Sequence, residues 1–300
     1  MPTPLTPPAT IAFIGLGMMG KPMAGHLVKA GYKLRVYDAS QQAMSDFVGA
    51  HPAALATASA KAAVDGADAL VTMVPDGKVV RHAVLDGPDP AATGLARDKI
   101  VIDMSSSAPM GTRALGADLA ARGLRCIDAP VSGGVRRALD ASLAIMAGGE
   151  AADVEQCKPL LLAMGKTVFH AGAIGSGHAL KALNNYLSAT SLLSMCEALI
   201  VGEKFGLDPA TMVEVFNSSS GMSNSTQVKA KPFVIPRNFA AGFALALMSK
   251  DLKTAAELAD QMGVHAETMR DMAEVWTDAM HKLGKDTDHT AIFKYLQERG

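Results

Sequence analysis

The sequence predicts an α/β sheet domain followed by an all-helical domain, and three observations carry that prediction. From Ile11 to about Gly172, short β-rich runs alternate with alanine-rich stretches of helical length, the pattern of βαβ units in a parallel sheet. After Gly177 the strand signals stop, and a long helical run begins that ends at Gly206, a common helix stop. With 300 residues, 49% of them apolar, the chain can build two domains of ordinary size, each with its own core.

Residues 1–9, beginning Met1-Pro-Thr-Pro-Leu-Thr-Pro-Pro8, read as a flexible lead-in, with no basic start and no apolar stretch suited to a signal peptide or membrane span. Residues 10–173 form the expected sheet domain. Its strands are predicted at 11–14, 34–37, 69–74, 99–103, 124–128, 143–146 and 167–169, mostly apolar on both sides of the alternation, as in strands covered by helices on both faces. Residues 174–300 form the expected helical domain, with helices at 179–205, 209–217, 244–262, 266–283 and 290–297. A long helix leaving a sheet domain is expected to build an interdomain cleft, with Lys181 at its mouth.

Composition excludes several classes. The formal net charge is −1 and the basic residues are scattered, so the chain lacks the electrostatic footprint of a nucleic-acid binder. Small-molecule chemistry is expected instead. Cys126, Cys157 and Cys196 are widely spaced and sit in strand or helix contexts, which predicts reduced, buried thiols in a cytoplasmic protein. The eight histidines show no metal-site spacing, so no metal is expected.

The first strand runs into Gly15-Leu16-Gly17-Met18-Met19-Gly20 and then a helical stretch. Glycines there permit a tight turn, close approach of backbone to a pyrophosphate, and tight packing of a helix whose N-terminus favours an anion. This context predicts a Rossmann-type dinucleotide site. Asp38 ends the second strand, where a carboxylate can accept hydrogen bonds from adenosine ribose hydroxyls but repels a 2′-phosphate. That repulsion is on the order of 4 kcal/mol near 4 Å at an effective dielectric of 20, before solvent and motion reduce it. No arginine follows to rescue a phosphate, so NAD is expected over NADP; the alternative role for Asp38 is capping the next helix.

The segment Gly175-Ser-Gly177-His-Ala-Leu-Lys181-Ala-Leu-Asn184-Asn185 opens a helix. Lys181 and Asn185, four apart, share a face, whereas Asn184 is turned from Asn185 by about 100°. An ammonium beside an amide can serve as a proton-transfer unit.

Taken together, four segments resemble the β-hydroxyacid dehydrogenase family over nearly the whole chain: Gly15 to Ala24, Asp128-Ala-Pro-Val-Ser132-Gly133-Gly134, Gly175 to Asn185, and Lys250-Asp-Leu-Lys-Thr-Ala255. The resemblance implies NAD-dependent interconversion of a small 3-hydroxy acid, of the 3-hydroxyisobutyrate type, and its semialdehyde or keto form. Tartronate semialdehyde reduction or a related sugar-acid oxidation is the alternative. It further implies that Lys181 is the general acid/base, its pKa lowered by desolvation and the nicotinamide charge. Asn185 matches the substrate-orienting asparagine, and Ser132, Gly133 and Gly134 match the carboxylate-binding segment. Val74, Pro75 and Ser106 match cofactor-lining positions. Lys250 matches a lysine on the cofactor side, although pairing with Asp251 would explain it equally.

Many members read Gly-Gly-Val-x-Gly-Ala-x-x-Gly-Thr-Leu where this chain has Gly133-Gly134-Val135-Arg136-Arg137-Ala138-Leu139-Asp140-Ala141-Ser142-Leu143, so Arg137 and Ala141 replace glycines. Arg136 and Arg137 could solvate a turn, or reach the distal end of a more polar or more anionic acid. An imine reductase and a 6-phosphogluconate dehydrogenase share the architecture. Lys181 weighs against the first; the short C-terminal half and Asp38 weigh against the second. A regulator that binds NAD without chemistry is opposed by the intact Lys181, Asn185 and Ser132-Gly-Gly set. Relatives form dimers or tetramers, so a homo-oligomer is expected.

Overall fold

The computed structural model describes residues 3–299, so Met1 and Pro2 of the expected lead-in and the final Gly300 lie outside the described residues. The remaining lead-in is pinned rather than loose. Leu5 is buried in the sheet-unit core, its N–H donates to Gln156 O at 2.9 Å, and Tyr32 Oη donates to its carbonyl at 2.9 Å. An apolar side chain with both backbone groups paired explains why a proline-rich segment lies down.

Among the described residues nine strands form one sheet: β1 Thr10–Ile14, β2 Lys33–Tyr37, β3 Leu55–Ala56, β4 Ala69–Thr72, β5 Ile100–Asp103, β6 Arg125–Asp128, β7 Val131–Ser132, β8 Leu143–Gly148 and β9 Gly165–Gly172. Six are parallel in the order β3-β2-β1-β4-β5-β6; β8 then joins β6 antiparallel, and carries both β7 and β9. Both faces are covered. Ile11 and Phe13 of β1 belong to one core cluster while Ala12 and Ile14 belong to another, as the period-2 alternation of a doubly covered strand requires. Order reverses between β1 and β4, and ligands of open α/β sheets bind beyond the carboxyl ends of strands at such a switch point.

The chain divides into two compact units, one up to Lys181 and one from Ala182. The helix Ser176–Phe205 continues through that division, which falls later than the sequence boundary at 173. The reason is local. Asp128, at the end of β6, accepts from Gly175 N and His178 N at 2.7 Å each, so the first turns of the helix belong to the sheet unit. At the other end Gly206 takes φ 99° and Leu207 N donates to Gly202 O at 2.9 Å, closing the helix as its glycine predicts.

The second unit is helical, with Pro209–Ser218, Asn224–Val228, Leu245–Gln261, Glu267–Leu283 and Ile292–Arg299 and a π turn at Ala230–Val234. Its core is built on Trp276, Phe293, Tyr295, Leu199 and Cys196. Among the described residues no helix is long and apolar enough to cross a membrane.

Candidate active site

The loop after β1 is shaped by close backbone approaches. A Cβ on Gly15, at φ 102°, would come within 2.2 Å of Met73 O, and one on Gly20 within 1.9 Å of Gly15 O. Neither position accepts a side chain. Gly17 differs: a Cβ there would meet nothing within 4 Å, so its glycine leaves open space on the outer side of the loop. Met18 is exposed, Met19 half-buried, and Leu16 buried beneath them. A loop of this shape, opening on a helix N-terminus, fits the pyrophosphate of a dinucleotide.

Asp38 closes the cradle from β2. Its Oδ2 accepts from Leu16 N at 2.6 Å and its Oδ1 from Ser40 N at 2.7 Å. The cap of the following helix is Ser40, whose hydroxyl accepts from Ala43 N, so Asp38 is not that cap. Each carboxylate oxygen keeps a second lone pair for a hydroxyl donor.

Val74 and Pro75 follow β4, and Ser106 follows β5, all at the carboxyl edge that holds Gly15 to Gly20. Val74 N donates to Ser105 Oγ at 3.0 Å. Behind them Asp103 is fully buried and accepts from Thr72 Oγ1, Ser105 N and Ser107 Oγ at 2.8 to 2.9 Å.

Between the two buried carboxylates lies His178, itself buried. Its Nδ1 is 3.5 Å from Asp128 Oδ2 and 2.8 Å from Thr112 Oγ1, while Nε2 is 3.1 Å from Ser105 O and 3.8 Å from Asp103 Oδ2. Burial pushes the Asp128 carboxyl up, and the neighbouring His178 and the two backbone donors oppose that rise. This network escaped the sequence. Asp128 and His178 stood inside quoted segments fifty residues apart, with nothing local to pair them.

Lys181 lies one turn further along the helix. Its Nζ donates to Val131 O at 2.9 Å, on β7, which runs directly into Ser132, Gly133 and Gly134. Gly133 takes φ 132°, and a Cβ on it would come within 2.4 Å of Arg137 Cδ, so the stem of Arg137 lies folded across it. Ala141, at the second replaced glycine, has φ 50°. Ser142 N donates to Arg137 O at 2.9 Å and Ala141 N to Ala138 O at 3.4 Å, a helix stop that favours glycine at residue 141.

Asn185 and Lys250 belong to the helical unit. Asn185 is buried, and its Nδ2 donates to Asp251 Oδ2 at 2.5 Å. Although Asn184 diverges from it on the helix, its Nδ2 reaches Asn185 Oδ1 at 3.2 Å. Lys250 Nζ is 3.8 Å from Asp251 Oδ1. All three cysteines are free, and burial pushes the thiols of Cys157 and Cys196 up to about 12. Among the described residues, no group of three or more His, Cys, Asp or Glu is placed to hold a metal ion.

Comparison with known proteins agrees with this geometry. The family model described as the NAD binding domain of 6-phosphogluconate dehydrogenase matches residues 10–172, and that described as NAD-binding of NADP-dependent 3-hydroxyisobutyrate dehydrogenase matches residues 175–296. An NAD-dependent L-serine dehydrogenase of Pseudomonas aeruginosa is 40% identical over 83% of this chain and 85% of its own. A 2-(hydroxymethyl)glutarate dehydrogenase of Eubacterium barkeri is 36% identical over 82% and 81%. Among solved structures, 3-hydroxyisobutyrate dehydrogenase of Mycobacterium tuberculosis with L-serine superposes with a TM-score of 0.88 at 32% identity, covering 96% of this chain and 99% of that one.

Proposed function

Because the chain belongs to the β-hydroxyacid dehydrogenase family, and is thereby an NAD(P)-dependent oxidoreductase, we propose that it interconverts a small 3-hydroxy acid and its semialdehyde or keto form, with NAD as cofactor and Lys181 as general acid/base. The observation that carries this is the bond from Lys181 Nζ to Val131 O, which holds the amine one residue before Ser132.

Ser132 Oγ and the N–H groups of Gly133 and Gly134 bind the substrate acid group, offering several donors to one anion. The Gly15 to Gly20 loop and Asp38 would hold NAD, which when bound would supply the hydride acceptor. Lys181, as the neutral amine, accepts the proton of the substrate hydroxyl; in the reverse direction its ammonium returns that proton to the carbonyl oxygen. The Val131 carbonyl accepts one N–H in both states, so the nitrogen keeps its orientation while its charge changes. Asn185 follows Lys181 by one helical turn; Asp251 holds its amide and fixes the direction in which it orients substrate.

Asp38 favours NAD over NADP: held against the Gly15 to Gly20 loop through Leu16 N, its carboxylate would accept from ribose hydroxyls and repel a 2′-phosphate. Lys250 serves the cofactor side. Free thiols, those of Cys157 and Cys196 buried and that of Cys126 half-buried, fit a cytoplasmic enzyme, and the family resemblance supports a homo-oligomer. A second reading, a tartronate semialdehyde or sugar-acid enzyme, is favoured by Arg137, a cationic residue whose stem lies across Gly133 of the acid-binding segment.

A panel of hydroxy acids, each tried with NAD and with NADP and followed by nicotinamide absorbance, tests the proposal. Turnover of 3-hydroxy acids with NAD is expected; turnover confined to imines or to 6-phosphogluconate would refute it.

A further inference from the structure

His178 is buried in the first turn of the helix Ser176–Phe205, three residues before Lys181, and the reaction above gives it no part. It lies, with every partner it has here, inside the sheet unit. Its backbone N–H donates to Asp128 Oδ2 on β6 at 2.7 Å, while its Nε2 is 3.1 Å from the carbonyl oxygen of Ser105, beyond β5. A carbonyl only accepts, so Nε2 carries the proton of that bond. On the other side of the ring Nδ1 lies 2.8 Å from Thr112 Oγ1, on the helix Pro109–Ala121, which fixes how the imidazole is turned.

Ser105 belongs to the edge proposed to line the cofactor. Its Oγ accepts from Val74 N at 3.0 Å and its N–H donates to Asp103 Oδ1 at 2.9 Å; Asp103 in turn accepts from Thr72 and Ser107. Both Asp103 and Ser105 are buried. The imidazole therefore joins a braced strand end to the helix that bears Lys181.

Two backbone bonds, from Gly175 N and His178 N, run from the helix start to the single carboxylate of Asp128. They fix where the helix begins, but bonds converging on one group leave it free to turn about its axis. The bond from Nε2 to Ser105 O supplies a second point on a different strand. A helix has a Cα radius of about 2.3 Å and a lysine side chain reaches roughly 6 Å further, so a turn of about 10° swings Nζ by about 1 Å. A misplacement of about 1 Å can cost about 10²-fold in rate.

We propose that His178 is a positioning residue for Lys181: through its Nε2–H bond to the Ser105 carbonyl it sets the rotation of the first helical turns and holds the lysine in register with the cofactor edge. This rests on the reaction proposed above, and it deepens it by naming the side chain that orients its acid/base.

The test uses the full-length enzyme and two substitutions that separate the ring nitrogens. Glutamine puts its amide nitrogen near the position of Nε2, whereas asparagine reaches only that of Nδ1. His178→Asn should lower kcat about 10- to 100-fold, with KM and the dissociation constant for NAD within about twofold, and His178→Gln should recover most of that loss. Equal kcat in the two variants, or a loss that only tracks the fraction of folded protein in thermal melts, would overturn the inference. Thr112→Val covers the case in which neither variant folds: it keeps the shape of the side chain, frees the ring at Nδ1, and should lower kcat about 3- to 10-fold with NAD affinity unchanged. Wild-type kcat in Thr112→Val would count against the proposal. Crystal structures separate it from the reaction: Lys181 Nζ should leave Val131 O in His178→Asn and keep it in His178→Gln. An enzyme inactive on every hydroxy acid would refute the reaction, while those two structures would still decide whether His178 orients Lys181.

Discussion

Lys181 donates from Nζ to the backbone carbonyl of Val131 at 2.9 Å, across fifty positions of sequence. The amine is thereby tied to the strand that leads through Ser132 to Gly133 and Gly134. The helix bearing it is tied down as well, by Asp128, which accepts from Gly175 N and His178 N. A lysine side chain has four flexible bonds and strong hydration, so ordered placement of its nitrogen needs such an anchor. That placement supports the acid/base role proposed for it.

Gly17 and Gly20 of the Gly15 to Gly20 loop should respond differently to alanine. Gly17→Ala meets open space, so its melting temperature should stay close to the wild type while NAD binding weakens about tenfold or more, because the methyl stands where the pyrophosphate approaches. Gly20→Ala forces a Cβ against Gly15 O at 1.9 Å and should lose stability together with binding. Thermal melts and NAD titration on the two variants check this, and identical behaviour would refute the cradle.

Asp38→Asn keeps the size of the side chain and removes its charge. The ratio of kcat/KM for NADP to that for NAD should rise about 10- to 100-fold, the part of the Coulombic repulsion left after solvent screening. An unchanged ratio would mean that the carboxylate only braces Leu16 N and Ser40 N.

Ala141 holds φ 50° at the end of the helix Gly134–Leu139, where the family pattern has glycine. Left-handed backbone costs a Cβ-bearing residue roughly 1–2 kcal/mol, part of which glycine returns through unfolded-chain entropy. Ala141→Gly should therefore stabilise by about 0.5–1 kcal/mol, read from denaturant melts.

Lys229 makes stability depend on pH. Its folded value near 8 lies below its ordinary 10.5, so between those pH values the unfolded chain binds more protons and stability rises with pH. Below pH 8 both states are charged and the whole burial penalty remains. Lys229→Met should remove that rise and be more stable than the wild type at pH 7, by about 3 kcal/mol at most. Urea melts at pH 7 and pH 10 compare the two chains directly.

Sequence periodicity was enough for the seven long strands and the main helices, because most of those elements bury their own apolar pattern; β9 is an exception, with Phe169 exposed. The two-residue strands Leu55–Ala56 and Val131–Ser132 had no such pattern; they exist only as pairs with β2 and β8. The polar helix Asn224–Val228 is set by its capping box, in which Ser223 and Thr226 bond reciprocally, and not by an apolar face. In the site, Gly15 to Gly20, Asp38 and Lys181 were legible because glycine turns and helix spacing are local. The Asp103–His178–Asp128 network and the bond of Lys229 to Ser188 were not, since both join residues that only the fold brings together. The compact units divide after Lys181 because Asp128 claims the start of the helix, a contact that no local sequence pattern announces.

The most direct measurement is the turnover of Lys181→Met on a 3-hydroxy acid with NAD, alongside the dissociation constant for NAD. Removing the general acid/base should lower kcat about 10²- to 10⁴-fold while NAD affinity stays within about twofold, and the pH dependence of kcat carried by the lysine should vanish. A variant that retained near-wild-type kcat would contradict the assignment of Lys181.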